Sequence, residues 1–285
     1  MRKKMVQDFQ AMKSKGEKIT FLTSYDFPTA QFAEEAGIDM LLVGDSLGMC
    51  VYGYPGTEPV VMDQMIFHTE AVRRGAPNTF IIGDMPFLSY QVSCEKAVEN
   101  AGRFIKETGC DAIKLEGGIR VVDRIKAIVE AGVVVMGHIG LTPQSSGQLG
   151  GHKAQGRTAE AAEAVVADAY AVQEAGAQMI LLEAIPPEVG KYITENLSIP
   201  VLSIGAGMYC DGQLLIVSDM IGQFQAFKPK FVKRFGDVAG ECINAMKAYH
   251  QEVKEGNFPT KDYCYPMIEG EANKFLEIME QKKRA

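Results

Sequence analysis

Eight short apolar runs recur along the chain, and most are followed by an amphipathic segment. The runs are rich in leucine and β-branched residues and are continuously apolar, which is typical of parallel strands buried on both faces. They are ITFLTSYD from Ile19, MLLVGDS from Met40, FIIGDMP from Phe80, AIKLE from Ala112, VVVMGH from Val133, MILLE from Met179, VLSIGAG from Val201 and LLIVSD from Leu214. This repetition predicts an alternation of strands and helices.

The segments between the runs have helical patterns, and most end at a glycine, where a helix C-cap favours this residue. They include FPTAQFAEEAG, DQMIFHTEAVRRG, CEKAVENAGRFIKETG, RVVDRIKAIVEAG, AEAAEAVVADAYAVQEAG and PPEVGKYITENL. The pattern favours a (β/α)8 TIM barrel, which we expect to form a single domain over residues 1–285 with an N-terminal helix and a C-terminal helical extension. A doubly wound sheet is the alternative, because the helix after the run from Leu214 is hard to place.

Composition and charge indicate which partners to expect. The net charge of −7 and the pI near 5.3 argue against a polyanion-binding surface. No window has the roughly 18 apolar residues of a membrane span, and the N-terminal stretch lacks the apolar core of a signal peptide. The six scattered cysteines read as free thiols in a reducing compartment. We therefore expect a cytoplasmic protein that binds small molecules and neither nucleic acid nor membrane.

Polar residues end nearly every predicted strand. A barrel of this type carries its chemistry at the C-terminal ends of its strands. The residues there are Asp26, Asp45, Ser46, Asp84, Lys114, Glu116, His138, Glu183 and the glycine-rich turn Gly205-Ala206-Gly207. Helix capping would explain one or two of them, because Asp and Ser are favoured N-caps. It does not explain Lys114, Glu116, His138 and Glu183 together, so we predict an active site at this end.

Three of these residues, Asp45, Asp84 and Glu116, are carboxylates of the kind that bind hard cations such as Mg²⁺. A divalent cation held this way would chelate a 2-oxo acid and stabilise its enolate as a Lewis acid. Asp45 would then face the metal, and Ser46 would donate to the substrate carboxylate from the same turn.

The remaining polar residues leave alternatives open. Lys114 and Glu116 point to the same face of one strand, and the lysine either pairs with a substrate carboxylate or forms a Schiff base. The neighbouring carboxylates favour the electrostatic role. Glu183 ends an otherwise apolar strand, which suits a general base, or it caps the helix beginning near Pro186. His138 is a proton donor, a hydrogen-bond donor to a nascent hydroxyl, or a core histidine.

Two glycine-rich loops have two interpretations each. The loop GAGMYCDGQ either cradles a phosphate or forms a tight turn. The loop GLTPQSSGQLGGHKAQGRT contains Lys153 and Arg157. This second loop is either a lid that covers an anionic cosubstrate or a solvated connection, and we favour the lid.

Several motifs resemble those of the ketopantoate hydroxymethyltransferase family. They run in the family's order from about residue 20 to about residue 235. They are TSYD, VGDSLGM, GDMPF, AIKLEGG, GHIGLTPQS, LLEAIP, VLSIGAG with CDGQ, DMIG and KFVKRF. The resemblance implies a barrel of the phosphoenolpyruvate/pyruvate superfamily, a large homo-oligomer, usually a decamer, and use of Mg²⁺. It implies transfer of a hydroxymethyl group from 5,10-methylenetetrahydrofolate to 3-methyl-2-oxobutanoate, giving 2-dehydropantoate for pantothenate biosynthesis.

The resemblance also implies roles for individual residues. The metal positions match Asp45, Asp84 and Glu116, the substrate contacts match Asp45, Ser46, Asp84 and Lys114, and the proton acceptor matches Glu183. Glu183 would remove the C3 proton, and the enolate would attack the one-carbon unit of the folate. Apart from the resemblance, we expect His138 to assist near the new hydroxyl.

The chain departs from the family pattern in segments 49–65 and 256–275, which affect none of the proposed catalytic residues. Two rival functions remain. A carbon–carbon lyase of the same superfamily would carry a KKCGH-like cysteine motif, which this sequence lacks. A non-catalytic 2-oxo acid-binding protein would need no base at Glu183.

Overall fold

The eight predicted strands close into a parallel barrel. The computed structural model describes residues 2–284. The strands are β1 Ile19–Thr23, β2 Met40–Val43, β3 Phe80–Asp84, β4 Ala112–Glu116, β5 Val135–Gly140, β6 Met179–Glu183, β7 Val201–Ile204 and β8 Gly212–Leu215. They follow sequence order around the barrel, and β1 pairs in parallel with β8 to close it. The predicted (β/α)8 fold is confirmed, and the open doubly wound sheet is excluded.

Helices separate most of the strands. In chain order they are α1 Val6–Lys15, α2 Phe27–Glu35, α3 Leu47–Cys50, α4 Met62–Gly75, α5 Cys94–Arg103, α6 Val122–Glu130, α7 Ser146–Leu149, α8 Ala159–Glu174, α9 Pro187–Asn196, α10 Val217–Met220, α11 Val238–Glu255 and α12 Glu271–Arg284. A π-helical turn, Phe104–Thr108, extends α5. Every helix predicted between strands is present.

The last strand differs from its prediction. The sequence predicts a strand that begins at Leu214, but β8 spans Gly212–Leu215, and residues from Val217 form the short helix α10. The apolar run LLIVSD therefore ends a strand and begins a helix, which periodicity alone does not distinguish in so short a run. A Cβ atom on Gly212 would lie 2.5 Å from the carbonyl oxygen of Ile19, so the strand starts where only glycine lets the barrel close tightly.

Alternate residues of each strand fill the barrel interior, as the two-residue period of a strand requires. The interior cluster contains Ile19, Phe21, Met40, Leu42, Phe80, Ile82, Ala112, Met136, Met179, Leu181, Leu202, Ile204 and Leu214. Helix α1 closes the N-terminal end of the barrel with Phe9, which is fully buried and packs edge-on against Phe80 at a ring-centroid distance of 5.1 Å. The opposite end stays open for a site.

Ion pairs hold the N-terminal segment on this closed end. The ammonium of Lys4 lies 2.9 Å from Asp39, which directly precedes β2. The ammonium of Lys13 lies 2.8 Å from Asp211, which directly precedes β8. Both aspartates are therefore occupied by structural contacts far from the C-terminal strand ends.

The described residues divide into two compact units, one ending at Gly236 and the other beginning at Asp237. The first contains the whole barrel. The second contains α11 and α12. The single-domain organisation over residues 1–285 stays a prediction. Across residues 2–284, no helix combines the length and the apolarity needed to cross a membrane.

Candidate active site

The inward-facing rows of the strands continue into a polar cluster at the C-terminal end of the barrel. Asp84 follows Ile82 by two residues, and Glu183 follows Leu181 by two, so each side chain points inward like its apolar predecessor. The same alternation places Lys114, Glu116 and His138 inside the barrel. The strand period therefore brings together the side chains that the sequence predicted as a site.

Lys114 lies at the centre of this cluster. Its Nζ is 2.9 Å from Oδ1 of Asp84, 3.3 Å from Oε1 of Glu116 and 3.1 Å from Nδ1 of His138. Burial favours the neutral amine, but Asp84, Glu116 and Asp45 outweigh it and raise the pKa of Lys114 above its usual range. A Schiff base needs a neutral amine, so this environment supports the electrostatic role.

Asp45 and Asp84 are adjacent and almost fully buried. The backbone N–H of Asp45 donates to Oδ2 of Asp84 at 3.0 Å. Burial raises the pKa of Asp45 well above its usual value, and the charges of Asp84 and Glu116 add to this effect. Burial also raises the pKa of Asp84, although Lys114 opposes it. The raised pKa values of the two aspartates indicate that Lys114 alone does not balance the carboxylates around it.

This donor set fits a hard divalent cation. Within residues 2–284, no three His, Cys, Asp or Glu side chains already converge as a metal site. Oδ1 of Asp84 is paired with Lys114 but accepts no aligned hydrogen bond from any described residue. Mg²⁺ usually takes one or two carboxylates and completes its shell with water and substrate oxygens. Asp45 and Asp84 meet that requirement.

Glu116 has protein partners on both of its carboxylate oxygens. Oε1 contacts Lys114 and His138, and Oε2 accepts a hydrogen bond from the backbone N–H of Gln144 at 3.2 Å. Lys114, His138 and these bonds outweigh burial and lower the pKa of Glu116 to about 2. Its part in a metal site stays a prediction.

His138 connects Glu116 to Glu183. Its Nδ1 lies 3.2 Å from Oε1 of Glu116, and its Nε2 lies 3.2 Å from Oε2 of Glu183. Burial and Lys114 lower the pKa of His138, but the two glutamates outweigh them and raise it to about 9. Glu183 is the more open of the pair, with 15% of its side chain exposed. Glu183 therefore faces the cavity, and its contact with Nε2 of His138 is an ion pair without an aligned hydrogen bond.

The backbone around Glu183 is held in unusual conformations. The next residue, Ala184, has φ of 47°, in the left-handed region that non-glycine residues seldom occupy. Gly140 pairs with Glu183 across the sheet at φ of 88°, and a Cβ atom there would lie 2.4 Å from the Glu183 carbonyl oxygen. Helix α9 begins after Pro186 with no side-chain cap. The alternative capping role of Glu183 is therefore not observed.

Ser46 lies at the turn after β2 and is half-buried. Its Oγ is 2.8 Å from the hydroxyl oxygen of Tyr25, a buried residue just beyond β1. The Tyr25 ring thereby limits the positions that the Ser46 hydroxyl can take. Ser46 borders the same cavity as Asp45.

Two other strand-end features have structural explanations. The carboxylate of Asp26 accepts a hydrogen bond from the backbone N–H of Thr29 at 2.8 Å and caps α2. Gly205 adopts a φ of 74° against the ring of Phe231, and the backbone N–H of Ala206 donates to Ser203 Oγ at 3.0 Å. Of the two interpretations of this loop, these contacts support the tight turn and not the phosphate cradle.

The sequence interpretation missed Gln144 and Tyr90. Gln144 is buried, and its Nε2 donates to Oδ2 of Asp45 at 2.8 Å. The hydroxyl of Tyr90 lies 2.7 Å from Oε1 of Gln144. The available signal was the place of Gln144 in the connection that follows β5, because it is a polar residue near a strand end. Tyr90 lies in an irregular loop after β3 and gave no such signal.

A cavity of about 1070 Å³ opens above the cluster. Its inner end is polar, and its outer part is lined by apolar side chains with basic residues among them. The apolar residues include Ile185, Pro186, Pro187, Phe227 and Phe231, and the basic ones are His152, Arg157 and Lys230. The glycine-rich loop predicted as a lid thus borders the cavity. This volume exceeds what a small 2-oxo acid needs and leaves room for a second, larger molecule.

Several solved structures share the architecture of this barrel. The fold resembles phosphonopyruvate hydrolase crystallised with oxalate and Mg²⁺, with a TM-score of 0.60 and 14% identity over 100% of this chain and 97% of that one. It also resembles 2,3-dimethylmalate lyase of the PEP mutase/isocitrate lyase superfamily, with a TM-score of 0.58 and 19% identity over 91% of each chain. At these identities the likeness shows the fold class.

Sequence relatives are more specific. The family model described as ketopantoate hydroxymethyltransferase matches residues 3–261. A 3-methyl-2-oxobutanoate hydroxymethyltransferase of Alkaliphilus metalliredigens is 60% identical over 94% of this chain and 95% of its own length. One from Syntrophomonas wolfei is 51% identical over 90% and 93%. The chain belongs to the ketopantoate hydroxymethyltransferase family and is a transferase, which confirms the resemblance found in its motifs.

Proposed function

We propose that this enzyme transfers a hydroxymethyl group from 5,10-methylenetetrahydrofolate to 3-methyl-2-oxobutanoate, giving 2-dehydropantoate and tetrahydrofolate in pantothenate biosynthesis. The observation that carries the proposal is one cavity with a carboxylate base candidate, Glu183, on one wall and a buried Asp45–Asp84–Lys114 cluster on another. Proton abstraction beside a carbonyl requires a base and positive charge near the developing negative charge, which a cation held by Asp45 and Asp84 would supply together with Lys114.

The inner end of the cavity suits the 2-oxo acid. Asp45 and Asp84 would hold Mg²⁺, with Glu116 as the third predicted member of that site. When bound there, Mg²⁺ would supply Lewis-acid stabilisation of the enolate. The Lys114 ammonium attracts the negative charge of the substrate, and the Ser46 hydroxyl donates to its carboxylate.

Glu183 would act as the proton acceptor. It takes the C3 proton of the 2-oxo acid, and C3 then forms a bond to the methylene carbon of the folate. The bonds from that carbon to N5 and N10 of the folate break, and one water supplies the new hydroxyl. The remaining proton of the water and the proton taken from C3 end on the two nitrogens of the departing tetrahydrofolate. His138 keeps the Glu183 carboxylate directed into the cavity through the 3.2 Å contact and would assist near that hydroxyl.

The outer part of the cavity suits the folate. A reduced folate has a flat ring system and an anionic tail, and Phe231 with Pro186 offers an apolar wall for the ring. Arg157 and Lys230 would attract the carboxylates of the tail. The homodecamer and the cytoplasmic location suggested by the family resemblance and the composition stay predictions.

The lyase alternative has less support. The residues lining the cavity include no cysteine in the described part of the chain, whereas the rival lyases carry a catalytic cysteine motif. A non-catalytic binding protein would have no use for Glu183 held by His138 at the cavity wall.

Proton NMR of 3-methyl-2-oxobutanoate in D₂O tests the proposal without folate. We expect the C3 proton signal to disappear with enzyme and Mg²⁺, and to persist without Mg²⁺ or with the Glu183→Gln variant. Glu188→Gln, an exposed position in the first turn of α9, is the matched control and should exchange at the wild-type rate. Exchange that survives Glu183→Gln would refute the assigned base. Bound substrate without any exchange in the wild type would refute enolate formation by the enzyme alone.

A further inference from the structure

A chain of buried hydrogen bonds lies beside the acidic cluster and has no part in the mechanism above. The backbone N–H of Glu116 donates to the hydroxyl oxygen of Tyr90 at 3.1 Å. That hydroxyl lies 2.7 Å from Oε1 of Gln144, which also accepts a hydrogen bond from Nε2 of Gln91 at 3.2 Å. Nε2 of Gln144 then donates to Oδ2 of Asp45 at 2.8 Å and to the carbonyl oxygen of Met85 at 2.9 Å. The chain links the ends of three neighbouring strands to the loop after β5.

The direction of every bond in this chain is fixed by its two ends. A backbone carbonyl only accepts, so the amide nitrogen of Gln144 must face Met85. A backbone N–H only donates, so Tyr90 accepts from Glu116 and has its own proton free for another acceptor. That proton points to Oε1 of Gln144, since the alternative acceptor, the Glu116 carbonyl oxygen, is more distant at 3.1 Å.

One oxygen of Asp45 is therefore committed to Gln144. Tyr90 is 1% exposed, Gln144 4% and Asp45 4%, so water does not compete for these bonds. A fully satisfied buried network holds one arrangement, because every alternative leaves a polar group unpaired. With Oδ2 engaged, Oδ1 is the oxygen of Asp45 that remains for a ligand in the cavity.

We propose that Gln144 is a positioning residue that holds Oδ2 of Asp45 so that Oδ1 is available to a divalent cation, and that Tyr90 acts through it by fixing the orientation of the Gln144 amide. The inference rests on the proposed function, since it takes Asp45 as a metal ligand. Neither Gln144 nor Tyr90 contacts the reacting atoms in this assignment.

Manganese binding to the full-length protein, followed by electron paramagnetic resonance, tests the proposal without turnover. Gln144→Met keeps the side-chain length and the backbone N–H bond to Glu116 but removes the donor to Asp45. We expect Mn²⁺ to bind about 10- to 100-fold more weakly, as is typical when a hydrogen-bond partner of a metal ligand is lost. Gln178→Met is the matched control, because the amide oxygen of Gln178 accepts a hydrogen bond from the backbone N–H of Val135 at 2.8 Å, at the start of β5. This variant should bind Mn²⁺ like the wild type.

A double-mutant cycle tests the role of Tyr90. Tyr90→Phe should weaken Mn²⁺ binding several-fold in the wild-type background and by less in the Gln144→Met background, because the amide that it orients is then gone. Equal effects in both backgrounds would overturn the assigned route through Gln144. Tyr90→Phe also serves if Gln144→Met does not fold, and unchanged Mn²⁺ affinity in Tyr90→Phe would then overturn the proposal.

The outcomes separate the two proposals. If the wild type binds Mn²⁺ and Gln144→Met binds it equally well, the role of Gln144 is refuted and the proposed function stands. If the wild type binds no Mn²⁺ even with 3-methyl-2-oxobutanoate present, the metal site of the proposed function fails, and the role of Gln144 fails with it.

Discussion

Nζ of Lys114 lies 2.9 Å from Oδ1 of Asp84, and neither side chain is more than 3% exposed. The pair lies inside the barrel, where strands β3 and β4 run side by side. An ion pair so deeply buried is tolerated only because each charge has partners, since removing one partner leaves the other uncompensated in a medium of low polarity. Lys114 therefore contributes to the stability of the folded barrel as well as to substrate binding in the proposed site.

Replacing Lys114 with methionine should lower the free energy of unfolding by about 3–5 kcal/mol, because the carboxylates around it lose their shared cation. Urea denaturation without added metal measures the change. Lys126→Met is the control, because the exposed Lys126 is 4.0 Å from Glu130. It should change the free energy by less than about 1 kcal/mol. Equal losses in the two variants would contradict the central role of the Lys114 charge.

Much of the fold and the location of the candidate site could be predicted from the apolar runs and from the polar residues that end them. Continuous apolar runs predicted the parallel barrel, and the polar residue at the end of each run predicted the location of Asp84, Lys114 and Glu183. These inferences hold because the ends of parallel strands meet at one edge. Gln144 lies in a single 3-10 turn and Tyr90 in an irregular loop, and both escaped prediction because no short period specifies side-chain directions in such connections.

The end of the barrel sequence shows the same limit. The run after Gly212 is apolar because the end of β8 and the start of helix α10 both have buried side chains. Composition alone therefore did not show where the strand ends and the helix begins. Asp26 also ended a predicted strand but serves as a helix cap. A polar strand end is thus evidence for a site only when several such ends converge.

Removing the hydroxyl of Tyr25 should weaken binding of 3-methyl-2-oxobutanoate. Tyr25→Phe deletes the 2.8 Å hydrogen bond to Ser46 and frees the serine hydroxyl to rotate. We expect KM for the 2-oxo acid to rise about 2- to 10-fold, the equivalent of one hydrogen bond, with kcat little changed. Steady-state kinetics of Tyr25→Phe, Ser46→Ala and the double variant check this. If the two effects add fully, Tyr25 does not act through Ser46.

The contact between Asp39 and the N-terminal segment should make stability depend on pH. Burial raises the pKa of Asp39, but the bonds from Lys4 and Thr20 outweigh it and lower the pKa below its usual value. The ionised form is therefore favoured by folding. Its contribution is present above the unfolded pKa of about 3.9 and is lost as the pH falls through the lower folded pKa.

Asp39→Asn should accordingly be less stable than the wild type near neutral pH, and the difference should shrink as the pH falls below about 4. Urea unfolding of both proteins across this range measures it. A difference that stays constant with pH would show that Asp39 contributes through hydrogen bonds that asparagine cannot replace, and not through its charge.

Gly140 controls the backbone at Glu183, and two glycines of similar conformation allow this to be tested. Gly140→Ala would place a Cβ atom 2.4 Å from the carbonyl oxygen of Glu183, at φ of 88°. Gly16→Ala imposes a similar left-handed strain at φ of 71° but meets no atom within 4 Å. Gly16→Ala should therefore lose only about 1–2 kcal/mol of stability.

Gly140→Ala should lose more stability than this and should also slow C3 proton exchange at least about 10-fold, since the displaced carbonyl moves the base away from His138 and the cavity. Exchange measured by NMR in D₂O on both variants decides the matter. Equal exchange rates in Gly140→Ala and Gly16→Ala would mean that Glu183 tolerates a shift of its backbone, and that the close packing at Gly140 serves the barrel alone.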